Sequence, residues 1–208
     1  DRSRGLGDVY KRQIQHKIGI IRREETGSKD FRTLVSEIAM LMCYEATRDL
    51  ELTDVEITTP ICATTVKELK GKKLAVVPIL RAGLGMVDGM LAMIPAAKVG
   101  HIGLYRDPQT LKPVEYYCKL PEDCDEREVF VVDPMLATGK SLVITYRELL
   151  KQGSLPAHTH IASVIASRQG VEYVEKELAG EPLTLWTAAL DEALTDKFYI
   201  DPGLSLIH

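Results

Sequence analysis

Several features are scarce in this 208-residue sequence, and each scarcity excludes a class of protein. The four cysteines form no Cys-x-x-Cys pair and no zinc-ligand spacing, so we expect free thiols in a reducing cytoplasm. No apolar run approaches the ~20 residues of a membrane span, and residues 1–13 lack the apolar core of a secretory signal. Acidic residues (30) outnumber basic ones (26), which argues against a protein dedicated to binding nucleic acid.

The apolar residues that are present follow a regular order of strands and helices. The predicted strands are 72–80, 99–107, 111–120, 128–133, 159–166 and 183–190, and the predicted helices are 30–50, 84–94, 141–153 and 171–180. This alternation predicts an α/β fold in which a mostly parallel central sheet carries helices on both faces. We expect one domain over residues 14–204, a disordered arm at 1–13, and a projecting β-hairpin formed by 99–107 and 111–120.

The segment VFVVDPMLATGKS, residues 129–141, has the pattern of a phosphate-binding turn. Apolar residues end at Asp133, and a short loop then leads to Ser141 at the start of a helix. Free amides at a helix N-terminus, small residues and two hydroxyls suit a phosphate, while Asp133 would face a sugar hydroxyl or a hydrated metal. A simple capped turn is the structural alternative. A Walker A loop is disfavoured because Pro134 stands where that motif requires glycine.

Two further segments place an arginine next to a predicted turn. Arg81 follows the strand 72–80 and precedes small residues, so its guanidinium could bind phosphate oxygens together with backbone amides. Arg106 lies at the tip of the predicted hairpin. Each segment alone fits an ordinary solvated turn. Because ligands of open α/β sheets bind beyond the carboxyl ends of the strands, the segments together predict one anionic ligand site at that edge.

Four stretches of the chain resemble a known family. The segment 129–141 resembles the phosphoribosyl diphosphate (PRPP) motif of type I phosphoribosyltransferases. In chain order, VVPILRAGLGMVDG, GLYRDPQTLKPVEYYCKLP, VVDPMLATGKS and TAALDEALTDKFYIDPGL resemble uracil phosphoribosyltransferases, and the resemblance covers roughly Gln15 to Leu204. It implies a type I phosphoribosyltransferase fold and a glycosyltransferase that joins uracil to PRPP, giving UMP and pyrophosphate in pyrimidine salvage.

The resemblance also implies roles for individual residues. The catalytic residues would be Asp133, Arg81 and Arg106. Asp133 would bind the ribose hydroxyls, and the two arginines would bind the pyrophosphate. PRPP would be bound by Arg81, Arg106, Asp133, Pro134, Met135, Leu136, Ala137, Thr138, Gly139, Lys140 and Ser141. Uracil would lie against Ile200 and Tyr199, with Met135 and Ala137 lining the same pocket. Mg²⁺ would be held mainly by PRPP and water, without a metal site built from protein side chains.

The implied partners are small molecules and further copies of the chain. Uracil and PRPP would be the substrates, GTP an effector, and the protein a homodimer or larger homo-oligomer, with neither nucleic acid nor a membrane as partner. An RNA-binding pyrimidine regulator with this fold is a second candidate, which the acidic balance disfavours. A purine or orotate phosphoribosyltransferase is a third, although the GLYRD and YIDPGL stretches are closer to the uracil family.

The sequence departs from the family pattern at three places. Lys140 replaces a glycine, so a positive φ at this position would strain the backbone. Residues 205–208 stand where the family has a Gly-Asp-Ala stretch that closes over uracil. An alternative function is therefore a PRPP-binding protein with little or no turnover. Residues 1–13 and 205–208 match neither end of the family, and we interpret them as non-native additions from a cloning or assembly junction.

Overall fold

The computed structural model describes residues 2–71, 74–107, 113–151 and 156–204, without the side chains of 2–10, 106 and 113. The helices of this part are α1 (Arg2–Ile21), α2 (Ser28–Ala46), α3 (Leu84–Met93), α4 (Lys140–Lys151) and α5 (Arg168–Glu177). The strands are β1 (Leu52–Thr58), β2 (Ala63–Leu69), β3 (Ala75–Leu80), β4 (Lys98–Val99), β5 (His101–Arg106), β6 (Pro113–Lys119), β7 (Glu128–Val132), β8 (Met135–Leu136), β9 (His158–Ser167), β10 (Leu183–Asp191), β11 (Ala193–Leu194) and β12 (Ile200–Asp201). The elements predicted from α2 onward are confirmed, with ends displaced by a few residues.

The central sheet has the strand order β10-β9-β7-β3-β5-β6. All neighbours from β10 to β5 are parallel, and only β6, at one edge, runs antiparallel to its partner β5. The predicted mostly parallel sheet is therefore confirmed. The predicted hairpin is confirmed as the pair β5–β6, and its linking residues 108–112 lie outside the described residues.

Helices cover both faces of the central sheet, which explains the nearly continuous apolar runs of β7 and β9. On one face, Val76, Phe130 and Val132 pack with side chains of α1, α2 and α3. On the other face, Val77 and Val131 pack with side chains of α4 and α5. Successive residues of a strand point to opposite faces, so β3 and β7 contribute alternately to the two cores.

The N-terminal segment differs from the disordered arm that the sequence predicts. Helix α1 begins at Arg2, so the backbone of residues 2–13 is helical. The last turns of α1 bury Ile18 and Ile21 in the first core, and Lys17 forms an ion pair with Glu37 of α2. Once these turns are formed, each preceding residue extends the helix at little cost, because nucleation is the expensive step. The segment also contains no proline that would stop it.

Other described features agree with the composition. The four cysteines are free, as predicted, and burial raises the pKa of the Cys43 thiol to about 12. None of the helices within the described ranges has the length and apolarity needed to cross a membrane. The hairpin β1–β2 forms a separate two-stranded sheet, and β11–β12 forms another.

The backbones of α2 and α3 lie close together at Gly89. A Cβ built on Gly89 would lie 1.9 Å from the Ser36 carbonyl oxygen and 3.1 Å from the Met40 nitrogen. Both atoms belong to the backbone of α2, which cannot move aside as a flexible side chain would. The absence of a side chain at Gly89 therefore sets the distance between the two helices.

We expect Gly89→Ala to lower the free energy of unfolding by about 1–3 kcal/mol, because the methyl group forces α2 and α3 apart. Urea denaturation measures the loss. Gly19→Ala is the matched control, since a Cβ on this α1 residue meets nothing within 4 Å. The control should raise stability by about 0.5–1 kcal/mol through its helix propensity. Equal effects of the two substitutions would contradict this account of the packing.

Candidate active site

The loops that follow β3 and β7 lie side by side at the carboxyl edge of the sheet. The two strands are parallel neighbours, with Pro78 opposite Val132. A Cβ on Gly83 would lie 2.4 Å from the Val132 carbonyl oxygen, so the loop after β3 touches the end of β7. This contact brings the segment that begins at Arg81 next to Asp133, as the sequence predicts.

Two adjoining cavities of about 120 Å³ and about 200 Å³ occupy this edge, and both are lined by Asp133 and Ser141. The smaller is also lined by Met135, Leu136, Ala137, Thr138, Gly139 and Leu142. The larger is also lined by Ile79, Leu80, Arg81, Ala82, Leu104 and Tyr105. The predicted arginine, carboxylate and turn residues therefore surround one cleft with two compartments.

The turn into α4 depends on the backbone conformation of Gly139. Its φ is +74°, a left-handed conformation that glycine adopts without steric penalty. A Cβ at this position would also lie 2.8 Å from the Gly170 carbonyl oxygen. The first backbone bond of the helix joins the Val143 amide to the Gly139 carbonyl, so the amides just before Val143 have no partner within the helix. Such amides can bind an anion.

Lys140 does not have the positive φ that would strain its backbone. Among the described non-glycine residues, a positive φ occurs only at Phe198. The position that needs left-handed backbone is therefore Gly139, which the sequence retains. The side chain of Lys140 is exposed and lines neither cavity, so the lysine is accommodated outside the cleft.

Two residues that the sequence analysis did not single out, Ser167 and Gly170, contact Ala137 and support the turn that leads into α4. The Ser167 hydroxyl donates a hydrogen bond of 2.5 Å to the Ala137 carbonyl and accepts one of 2.9 Å from the Gly170 amide. A Cβ on Gly170 would lie 2.2 Å from the Ala137 carbonyl oxygen. A serine between a strand and a helix is a typical N-cap, but this local pattern does not indicate the distant contact with Ala137.

Two of the predicted PRPP-binding residues contribute to the sheet. Pro134 is buried, and its carbonyl accepts a bond of 3.1 Å from the Ile165 amide. Leu136 is 3% exposed and belongs to the second core, although it also forms part of the wall of the smaller cavity. These residues attach the turn to β9.

Burial raises the pKa of the Asp133 carboxyl from 3.8 to about 7, and a hydrogen bond from the Met135 backbone partly opposes the shift. The Asp133 amide donates a bond of 3.1 Å to the Ala162 carbonyl, which fixes the residue at the end of β7. The carboxyl is therefore divided between its protonated and ionised forms near neutral pH. Cations or hydroxyl donors that enter the cleft would favour the ionised form.

The remaining predicted residues occupy different positions. Arg81 is exposed at the larger cavity. Arg106 ends β5, and its side chain lies outside the described part of the structure, so its role stays a prediction. Ile200 buries its side chain in the first core, whereas Tyr199 is 49% exposed. Neither lines the two cavities, so a uracil contact made by this pair also stays a prediction.

The family model for uracil phosphoribosyltransferase matches residues 9–205 of the chain. The chain belongs to this family. The uracil phosphoribosyltransferase of Agathobacter rectalis is 66% identical over 191 residues, which cover 92% of this chain and 90% of the relative. The enzyme of that name from Staphylococcus haemolyticus is 58% identical with the same coverage. The family resemblance stated from the motifs is therefore confirmed.

Solved structures agree with this membership. The AQ2163 protein of Aquifex aeolicus has a TM-score of 0.85 at 35% identity, covering 92% of this chain and 90% of that one. A hypoxanthine-guanine phosphoribosyltransferase of Bacillus anthracis has a TM-score of 0.51 at 10% identity, covering 79% of this chain and 80% of that one. The second likeness concerns the fold alone. The expected type I phosphoribosyltransferase fold is confirmed.

The raised pKa of Asp133 predicts how stability depends on pH. Because the folded-state pKa of about 7 exceeds the ordinary 3.8, the folded chain binds more protons than the unfolded one between these values. Stability contributed by this group therefore falls as pH rises through that window. We expect Asp133→Asn to unfold at a higher temperature than the unmodified chain at about pH 8, with the gain shrinking towards about pH 5.

Thermal unfolding at several pH values measures this difference. Asp196→Asn is the control, since Asp196 is exposed and lines neither cavity. A gain for Asp133→Asn that is the same at every pH would contradict the inferred burial of the carboxyl.

Proposed function

We propose that this chain transfers the phosphoribosyl group of PRPP to uracil, producing UMP and pyrophosphate. The observation that carries the proposal is the cleft in which Arg81 and the turn from Asp133 to Ser141 line adjoining walls. Membership of the uracil phosphoribosyltransferase family supports the same reaction. It also favours an enzyme over the alternative, a protein that binds PRPP with little or no turnover.

The phosphate end of PRPP fits the smaller cavity. Its wall contains the hydroxyls of Thr138 and Ser141 and the turn at Gly139, where α4 begins. The amides of this first turn, which have no partner within the helix, and the positive end of the helix dipole favour a 5-phosphate. This placement puts the ribose next to Asp133, whose carboxylate would accept hydrogen bonds from the ribose hydroxyls.

The diphosphate end fits the larger cavity, where Arg81 lies. As pyrophosphate leaves C1′, negative charge grows on the leaving group and positive charge on the ribose ring. Arg81 stabilises the first and ionised Asp133 the second, and a preorganised donor of this kind is typically worth ~3–4 kcal/mol. Uracil N1 supplies the electron pair for the new bond, so no side chain acts as a covalent nucleophile. The protein contributes orientation and exclusion of water.

The residues of the cleft fit a Mg²⁺ ion bound chiefly by the substrate. Asp133 is the one carboxylate among the described side chains that line the two cavities. A Mg²⁺ ion that keeps several waters and takes its other ligands from phosphate oxygens needs few protein ligands. When bound, it would offset the charge of the departing pyrophosphate. Asp133 would face its hydration shell.

Further parts of the proposal rest mainly on the family. Arg106 would hold the pyrophosphate from the hairpin, and Tyr199 and Ile200 would contact uracil. We propose a homodimer or larger assembly, which is supported by the exposed Tyr116 and Tyr117 on β6. A cytoplasmic location is supported by the free thiols. GTP as an effector and the domain limits 14–204 are proposals from the resemblance.

The central experiment is an assay with Mg²⁺, PRPP and radiolabelled base. We expect UMP from uracil and no nucleotide from hypoxanthine, guanine or orotate. Arg81→Ala should slow UMP formation roughly 10²- to 10³-fold, because it removes a donor aimed at the leaving group. If the chain forms no UMP yet is stabilised against heat by PRPP, the binding-only alternative is correct.

The support of the turn by α5 predicts an effect on PRPP affinity. Gly170→Ala should weaken PRPP binding roughly tenfold or more, because the methyl group displaces Ala137 and the turn that follows it. The shift of the melting temperature on adding PRPP measures this loss. Gly27→Ala is the control, since a Cβ there meets nothing within 4 Å. An unchanged PRPP shift in Gly170→Ala would contradict the proposed phosphate site.

A further inference from the structure

One arginine links three separate parts of the chain. Arg22 follows the end of α1 and donates from Nη1 to Asp191 Oδ2 at 2.8 Å and from Nη2 to Asp191 Oδ1 at 2.6 Å. Nη1 also donates to the Gly203 carbonyl at 2.8 Å. A single guanidinium therefore joins α1, the end of β10 and the C-terminal segment 200–204.

The Arg22–Asp191 pair is largely withdrawn from water. The side chain of Asp191 is 7% exposed and that of Arg22 is 21% exposed. Removing one partner of such a pair leaves an uncompensated charge, which is far more costly than loss of a surface pair. The pair therefore holds the guanidinium in place, and Nη1 of the same group donates to the Gly203 carbonyl.

This arrangement lies next to the proposed phosphate turn. Asp191 is opposite Ser167 in the register of β9 and β10. Ser167 in turn donates to the Ala137 carbonyl. The ends of two neighbouring strands thus carry two supports, one for the turn from Asp133 to Ser141 and one for the segment 200–204.

The segment 200–204 is held on either side of Gly203 as well. Ile200 pairs with Leu194 in the β11–β12 ladder, and its side chain is 4% exposed in the first core. Leu204 is also 4% exposed in the same core. Two buried side chains and one bound carbonyl therefore fix the backbone of this short segment.

We propose that Arg22 is a positioning residue for the uracil subsite, an inference that rests on the proposed function. Because the Ile200 side chain is buried in the core, Ile200 can offer a base only its main-chain groups. Such recognition depends on backbone position, and a displacement of about 1 Å can cost on the order of 10²-fold in rate. Arginine suits the task because its planar fork reaches the Asp191 carboxylate and the Gly203 carbonyl together, whereas lysine offers one point charge.

The test compares KM for the two substrates in Arg22→Met and Arg22→Lys. We expect Arg22→Met to raise the KM for uracil about tenfold or more and to change the KM for PRPP less than about twofold. Arg22→Lys should lie between Arg22→Met and the unmodified chain, since it keeps the charge but loses the fork. Hydrogen exchange of residues 195–204 should be faster in both variants, in the same order.

Two controls separate positioning from general destabilisation. Leu149→Ala removes buried volume from the second core, in the half of α4 that is far from the phosphate turn, and should lower stability with both KM values unchanged. Arg147→Met breaks the exposed ion pair with Glu177 and should change neither stability nor KM appreciably.

The outcomes distinguish this inference from the proposed function. An unmodified chain that forms no UMP overturns the proposed function. If that chain forms UMP and Arg22→Met leaves the KM for uracil unchanged, only the positioning role is overturned. A parallel rise of both KM values also overturns it, because the loss would then not be specific to the base.

Discussion

The turn that leads from β7 into α4 lies against the start of α5 with backbone touching backbone. A side chain at position 170 would collide with the Ala137 carbonyl oxygen, and one at position 139 would collide with the Gly170 carbonyl oxygen. The amides at the start of α4 can face a ligand only while this contact holds the turn in place. Asp133 precedes this turn directly, and the loop of Arg81 contacts the end of the same strand at Val132.

Parallel pairing of β3 and β7 explains why the loop of Arg81 and the turn that begins at Asp133 lie next to each other. The carboxyl ends of β3 and β7 supply the loops that we assign to the pyrophosphate and the sugar phosphate, respectively. The end of β9 supports the loop after β7, and the end of β10 supports the segment 200–204. Ser167 supports the turn that we assign to the phosphate, and Asp191 binds Arg22 beside the segment that we assign to the base. Ser167 and Asp191 are paired in one register, so the two supports lie side by side at this edge of the sheet.

Local patterns predict most of the fold and part of the site. The apolar run before Asp133 and the turn through Gly139 were sufficient to predict a strand, a loop and a helix in the correct order, because those signals are local in sequence. The roles of Ser167 and Gly170 were missed because they depend on a contact with residues about thirty positions earlier in the chain. The helical backbone of residues 2–13 was missed for a similar reason, since its nucleus is the packing of Ile18 and Ile21. The hydrogen bonds from Arg22 to Asp191 join residues 169 positions apart, and no short sequence motif predicts such a contact.

A crystal structure of the chain with PRPP and Mg²⁺ tests the central claim most directly. The account predicts the 5-phosphate within hydrogen-bond distance of the amides from Thr138 to Ser141, the ribose hydroxyls at Asp133, and the pyrophosphate at Arg81. A sugar diphosphate bound elsewhere, or bound here with Arg81 turned away from it, would contradict the account.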